Sequence, residues 1–169
     1  MTKKTLSIYD LQIGDIVIGE EYYLDENTDE EVYNDHPFKI EGVSESDSIY
    51  IDGEECRYEG NWMDKCQCET VGDIYPMPIT EEFLTLNGYE DCGTYLVNDW
   101  SEGNILKEGH KSNYIQLMKW SMDGDLKVFQ LGVILNNLPA INTEVRYVHQ
   151  LQHALRAIGL ADKAKFKVR

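Results

Sequence analysis

The sequence lacks the features that identify several common classes of protein. No apolar run approaches the roughly 18 residues needed to cross a bilayer, and the opening MTKKTLSIYD has no apolar signal core. These absences predict a cytoplasmic protein without membrane contact. A P-loop, a G-x-G-x-x-G motif and a nucleophile elbow are also missing, so the sequence has no standard signature of a nucleotide-binding enzyme or a serine hydrolase. We therefore expect a non-enzymatic protein that needs no cofactor.

The four cysteines do not have the spacing of a common zinc site. Cys56, Cys66, Cys68 and Cys92 follow the pattern C-x9-C-x-C-x23-C, without the paired C-x2-C knuckles of a zinc ribbon. In a cytosolic chain such thiols stay reduced rather than forming disulfides. We predict no metal site, although the spacing alone leaves zinc at these cysteines open.

Basic residues are scarce. Lys and Arg number 15 against 31 Asp and Glu, which gives a net charge of −16. Residues 1–80 hold 20 acidic and 5 basic residues, so they carry −15, whereas residues 81–169 carry −1. Such a surface repels nucleic acid and anionic membranes, which argues against direct contact with either. The charge is compatible with a basic protein partner, and also with a role in solubility alone.

Acidic residues and tyrosines alternate in the segment 20–35, which holds eight acids in sixteen residues. Its centre, DENTDE, predicts the tip of a β-hairpin between two exposed strands. Tyrosines provide rigid contact area, and carboxylates steer a protein toward a basic surface. The candidate partner-binding residues are Tyr22, Tyr23, Asp25, Glu26, Asp29, Glu30, Glu31 and Tyr33. The alternative is an exposed hairpin that binds nothing.

The strand patterns predict an α+β fold in two parts. In residues 1–75, short alternating segments such as the one from Leu11 to Ile18, with a bend at Gly14, favour a small, SH3-like β-barrel half. Pro76 and Pro78 mark a junction. Residues 76–169 predict a short helix, a mainly antiparallel sheet and a C-terminal helix that covers it. The two parts can also pack as one unit.

Local signals place the elements of the second part. Thr80 is a helix N-cap, and Asn87-Gly88 ends that helix. Strands are predicted at 94–97, 113–121 and 126–131, followed by a loop at 136–139. The lysine-rich segment 163–168 predicts a final edge strand.

The C-terminal helix is predicted over residues 143–160. Thr143 is its expected N-cap and Gly159 its C-terminal stop. The apolar positions recur at steps of three and four residues, and they are Val145, Val148, Leu151, Leu155 and Ile158.

The opposite side of this helix carries Arg146, His149, His153 and Arg156. Such a cationic stripe can bind a phosphate-bearing small molecule, because the guanidinium group of arginine donates paired hydrogen bonds to phosphate oxygens. A solvated stripe, or one that pairs with acids of the same chain, is the alternative. His149 and His153 also have the spacing of a helical metal pair, but Gln150 stands where a metalloprotease has glutamate, so no metal is expected.

Three segments of the chain resemble a family of small, uncharacterised proteins from bacteriophages and prophages of gut anaerobes. Leu11-Gln-Ile-Gly14 resembles the family's L-R-I-G-N start. Pro78-Ile-Thr-Glu-Glu-Phe-Leu84, with Asn87-Gly-Tyr89 behind it, is similar to P-I-P-L-T-E-E-W-L followed by F-G-F. Tyr147-Val-His-Gln-Leu-Gln152 agrees at six consecutive residues with the family's K-Y-V-H-Q-L-Q-N-L-Y-F-A-L-T-G helix. After Gln152 the chain departs from that pattern.

The resemblance implies a phage or mobile-element accessory protein in the cytoplasm of a bacterial host, with no assigned catalytic residue. Three functions follow as hypotheses. The first is inhibition of a host defence protein that presents a basic surface to the acidic hairpin. The second is sequestration of a nucleotide-like signal by the cationic stripe. The third is an assembly role in the phage particle. The sequence does not indicate an oligomeric state.

Overall fold

The computed structural model describes residues 6, 10–24, 28, 31–43, 49–52, 67–68, 74–101, 111–124 and 126–168. The chain divides into two compact units, one formed by Met1–Met77 with Val168–Arg169 and the other by Pro78–Lys167. Both units contain an antiparallel sheet, and the second also contains helices, so the predicted α+β class is confirmed. None of the described helices is long and apolar enough to cross a membrane.

The first unit contains five strands: β1 (Ile16–Leu24), β2 (Glu31–Val43), β3 (Ile49–Asp52), β4 (Gln67–Cys68) and β5 (Ile74–Pro76). Their order in the sheet is β4-β3-β2-β1-β5. Its buried apolar residues include Ile16, Val17, Phe38, Ile40 and Ile74.

The predicted barrel is not closed among the strands that the structure describes. β4 and β5 lie at opposite edges of the sheet, and no described pairing joins them. The motif from Leu11 to Gly14 forms a turn before β1 rather than the start of a strand. Gly14 has φ +88°, and the Gln12 backbone N–H donates to the buried carboxylate of Asp15 at 2.8 Å. The chain therefore enters the sheet only at Ile16.

The second unit begins with helix α1 (Glu81–Leu86), which has the predicted caps. The hydroxyl of Thr80 accepts a hydrogen bond from the Phe83 N–H at 3.1 Å. After the C-cap residue Asn87, Gly88 has φ +81°, and the Tyr89 N–H returns to the carbonyl of Leu84 at 3.0 Å. This arrangement is a Schellman motif, which favours glycine because its left-handed residue has little room for a side chain.

A five-stranded meander follows α1. Its strands are β6 (Glu90–Asp91), β7 (Tyr95–Asp99), β8 (Tyr114–Asp123), β9 (Leu126–Leu135) and β10 (Leu138–Val145), in the order β10-β9-β8-β7-β6. Leu96, Ile115, Leu117, Phe129, Leu131 and Val133 are all fully buried. These residues alternate along their strands with more exposed ones, so one face of the sheet forms the core of this unit.

Strand β10 replaces the loop that the sequence predicts at 136–139. Asn136 and Asn137 have φ values of 50° and 68°. Two left-handed residues in succession make a tight hairpin turn, and asparagine tolerates that conformation better than most residues. The turn connects β9 directly to β10, whose residue Leu138 lies opposite Leu135.

The C-terminal helix, α2 (Val148–Ala157), is shorter than predicted. Thr143 is not its N-cap, because it lies in β10 opposite Leu131. The helix start is held instead by Gln150, whose side-chain oxygen accepts hydrogen bonds from the N–H groups of Arg146 at 3.0 Å and Tyr147 at 3.3 Å. The predicted end is confirmed, since Gly159 has φ +81° and forms a second Schellman motif.

The predicted edge strand at 163–168 is wrong. Residues Ala161–Ala164 form a 3-10 helix, and an irregular segment follows. In that segment the ring of Phe166 packs edge-on against Phe83, with 5.3 Å between the centroids. The side chain of Asn87 bonds both the N–H and the carbonyl of Lys167. The bonds to Asn87 satisfy the backbone groups of Lys167, which strand pairing would otherwise satisfy.

Replacing Thr80 with alanine tests the α1 cap. The substitution leaves the Phe83 N–H without its acceptor, and we expect a loss of about 1 kcal/mol in the free energy of unfolding. Thr85→Ala is the matched control, because Thr85 lies inside the same helix and its exposed hydroxyl donates only to a helix carbonyl. Urea unfolding followed by circular dichroism measures both variants. Equal stability of the two would contradict the assignment of the cap.

Candidate functional site

The first candidate site is the acidic hairpin, defined as residues 20–36. β1 and β2 pair in an unbroken antiparallel register from Ile16 opposite Lys39 to Leu24 opposite Glu31. Tyr22 stands opposite Tyr33, and Tyr23 opposite Val32. The predicted hairpin is therefore confirmed in its two strands. Of the candidate residues, Asp25, Glu26, Asp29 and Glu30 lie outside the described part of the chain.

The acidic hairpin concentrates charge of one sign. Residues 20–36 contain eight acids and no lysine or arginine, so half of the net charge of −16 falls on seventeen residues. Glu20 and Asp35 are directly opposite each other in the register. The acids lie on both strands of the hairpin, with Glu20 and Glu21 on β1 and Glu31 and Asp35 on β2.

The second candidate site is the predicted cationic stripe of α2. Arg146 precedes the helix, while His149, His153 and Arg156 lie within it. His149 does not belong to an exposed stripe, since its side chain is buried together with Val148 and Leu151. Arg146, His153 and Arg156 are half-buried. One of the four residues is therefore buried in the core, and the other three are only half-buried.

Aromatic contacts hold His149 in place. Its ring is nearly parallel to that of Tyr147 at a centroid distance of 5.9 Å, and it meets the ring of His153 edge-on at 5.8 Å. Gln152, which is also buried, donates to the carbonyl of Ala164 at 3.0 Å. The 3-10 helix thus packs against α2 at Gln152. A buried His149 acts here as a packing residue rather than as a surface ligand.

The second unit contains a network of four charged residues that the sequence does not predict. The ammonium group of Lys119 on β8 lies 2.8 Å from a carboxylate oxygen of Glu81 and 3.1 Å from Asp91. Lys127 on β9 donates to the other oxygen of Glu81. The partners are separated by 28 to 46 residues in the chain, so no local pattern predicts the network. It joins the start of α1 to β6, β8 and β9.

The network shifts the ionisation of its members. The hydrogen bond from Lys119, followed by that from Lys127, lowers the pKa of Glu81. The pKa of Asp91 is lowered by the backbone N–H of Gly93 and then by Lys119. The pKa of Lys119 is raised, chiefly by its bond to Glu81. Each shift favours the charged form, which identifies the cluster as a structural ion-pair network.

Within the described ranges, no three His, Cys, Asp or Glu side chains come together in a group able to hold a metal ion. Cys92 is exposed, and its thiol is free. Cys56 and Cys66 lie outside the described residues, and the predicted absence of a metal site stays a prediction.

Comparison of the chain with known protein families, with curated proteins and with solved structures gives no match.

The ion-pair network predicts a pH dependence of stability. Because the pKa values of Glu81 and Asp91 are lowered in the folded state, their contribution is complete above the unfolded values of 4.5 and 3.8 and is lost as pH falls through the folded values. Lys119→Met removes the central cation. We expect this variant to unfold at lower urea than the wild type at pH 7, and the difference to shrink below pH 4.

Lys165→Met is the control for this comparison. Lys165 pairs with Asp162, but the two side chains are 76% and 92% exposed, whereas those of Lys119 and Glu81 are 26% and 27% exposed. Solvent screens an exposed pair more strongly, so the control is expected to change stability less. An effect of Lys119→Met that is the same at pH 3 and pH 7 would argue against the network.

Proposed function

We propose that the chain is a non-enzymatic accessory protein of a phage or mobile element. It acts in the bacterial cytoplasm by contact with a host defence protein, and the acidic hairpin is its contact surface. The observation that carries the proposal is the register of β1 and β2, which sets Tyr22 against Tyr33 within a segment that holds eight acids and no lysine or arginine.

The composition of the acidic hairpin supports a protein partner. Tyr22, Tyr23 and Tyr33 occur among the acids, and Tyr22 lies directly across from Tyr33. Tyrosine is enriched at the centres of protein interfaces, where it contributes large contact area. Carboxylates around such a centre accelerate association with a basic surface and fix its orientation. The partner that fits is a protein with a basic groove or patch.

Neutralising the tip of the acidic hairpin tests the proposal. The variant carries Asp25→Asn, Glu26→Gln, Asp29→Asn, Glu30→Gln and Glu31→Gln. Immobilised wild-type protein and the variant are incubated with cytoplasmic extract of the host, and the bound proteins are quantified by mass spectrometry. We expect a basic protein to be retained by the wild type, to be reduced at least tenfold on the variant, and to be released by salt, because exposed charges are screened.

A control variant with the same number of neutralised acids distinguishes the effect of where the acids lie from the effect of net charge. Asp10, Glu82, Glu90, Glu144 and Asp162 are exposed acids outside the acidic hairpin. Their replacement by the corresponding amides removes the same five charges and should leave retention of the partner unchanged. Equal retention by wild type and hairpin variant, or equal loss in both variants, would falsify the proposal.

The α2 region supports a second candidate function, sequestration of a phosphate-bearing small molecule. Arg146 and Arg156 stay partly exposed, and the rings of Tyr147, His149 and His153, which lie between them in the sequence, contact one another. Arginine binds phosphate through paired N–H groups, and an adjacent aromatic ring offers a stacking surface to a base. Because His149 is buried, its role in this function is to orient His153 rather than to contact the ligand.

A thermal-shift screen with nucleotides and cyclic nucleotides tests this second function. Binding stabilises the folded state by an amount that grows with the logarithm of the ratio of ligand concentration to Kd, about 2.7 kcal/mol at a hundredfold excess. We expect a rise in Tm for one member of the panel, and loss of that rise in the double variant Arg146→Ala, Arg156→Ala. Lys163→Ala, which removes a cation placed over Trp100 instead, is the control. An unchanged Tm across the panel would exclude the function for these ligands.

A further inference from the structure

The sequence contains a single Asn-Gly pair, Asn87-Gly88, and the structure places it at the end of α1. Asn87 is the C-cap residue of the helix. Gly88 follows with φ +81°, a left-handed conformation that other residues rarely adopt. The Schellman motif therefore favours glycine directly after the C-cap asparagine. The fold thus keeps at this position a pair of residues that is chemically labile.

An asparagine that precedes glycine is prone to deamidation, because glycine has no side chain to hinder attack by its own peptide nitrogen. At this site the Gly88 nitrogen would bond to Cγ of Asn87. The Cγ–Nδ2 bond breaks, and the amide nitrogen leaves as ammonia with the proton from the Gly88 N–H. Water then opens the resulting cyclic imide at either carbonyl, which leaves aspartate or isoaspartate at position 87. Solvent water is the co-reactant that balances the reaction.

The folded helix end opposes the first step of this reaction. The Gly88 N–H donates to the carbonyl of Thr85 at 3.1 Å, so the attacking nitrogen is held in the Schellman motif. The Nδ2 group of Asn87 donates to the carbonyls of Phe83 at 2.9 Å and Lys167 at 3.1 Å. Its Oδ1 atom accepts from the Lys167 N–H at 2.6 Å. Because the attack has to break these bonds, it requires local opening of the helix end.

Phe166 and Lys167, which we call the C-terminal strap, hold the amide of Asn87 in place. Both backbone groups of Lys167 bond to that amide. The ring of Phe166 packs edge-on against Phe83, which lies one turn before Asn87 on the same helix. Phe83 is buried, so separation of the two rings exposes apolar surface to water. The stability of the strap therefore sets how often the helix end opens.

We propose that Asn87 is a deamidation site, and that the C-terminal strap both limits the reaction and is released by it. The carboxylate that forms at position 87 has no N–H to donate to the carbonyls of Phe83 and Lys167. It places a negative charge against these two oxygens instead, and against the negative end of the helix dipole. Because the folded chain does not regain the amide, the release of the strap is a one-way change.

Incubation of the full chain at mildly alkaline pH tests the proposal. Deamidation is measured as the mass increase of the proteolytic peptide that contains Asn87. The folded wild type is expected to react more slowly than the same chain unfolded in urea, because the folded helix end blocks the attack. Phe166→Ala should react about tenfold faster than the wild type, since loss of the aromatic pair and its packing raises the population of the opened form.

Lys165→Ala is the matched control for the reaction rate. Lys165 adjoins the strap, but its side chain is 76% exposed and pairs with Asp162, so this variant should react like the wild type. If Phe166→Ala fails to fold by circular dichroism, Lys167→Pro decides the question, because it removes the N–H that donates to Asn87. Equal rates in the wild type and the strap variant, or an Asn87 that stays intact in urea, would overturn the proposal.

Asn87→Asp introduces one reaction product directly and tests the release of the strap. Trypsin is expected to cut after Lys167 faster than in the wild type, because the backbone of Lys167 is no longer held. Asn142→Asp makes the same chemical change on β10, where the side-chain oxygen accepts from Gln130, and should be cut like the wild type. Cleavage of Asn87→Asp at the wild-type rate, or faster cleavage throughout the second unit, would contradict release of the strap.

Discussion

Burial of one face of the β6–β10 sheet is the constraint on which the second unit depends. Leu117, Phe129 and Leu131 have no solvent exposure, and the same is true of Leu151 and Leu155 on α2. Each such side chain contributes about 1.5–3 kcal/mol when it leaves water. The remaining features of the unit serve this core. The Schellman motifs end α1 and α2 sharply, and the Lys119 network holds the start of α1 to the sheet.

The parts of the fold that the sequence predicts are those decided by neighbouring residues. The Thr80 cap and the stops at Gly88 and Gly159 depend on local backbone geometry, and all three are confirmed. The start of α2 is different. Val145 fits the helical period, but it is also β-branched, and its pairing opposite Phe129 keeps it in β10. A distant strand therefore overrides a local pattern, as tertiary contacts commonly do.

The candidate sites also combine local features that the sequence predicts with long-range features that it does not. The strands of the acidic hairpin were predictable, because a polar tip between alternating segments is a local signal. The burial of His149 was not, since it depends on how α2 packs in the folded unit and not on the helical period. The Lys119 network was also beyond prediction. Its members come from α1, β6, β8 and β9, and a sequence that contains 31 acids offers many equally good pairings.

The side chain of Asn87 ties the end of helix α1 to the last residues of the second unit. It holds the backbone of Lys167, eighty residues further along the chain, while Phe83 packs against Phe166. The short helix α1 therefore depends on residues far from it in sequence, and loss of Phe166 and Lys167 would remove packing and hydrogen bonds from a helix whose own sequence is unchanged.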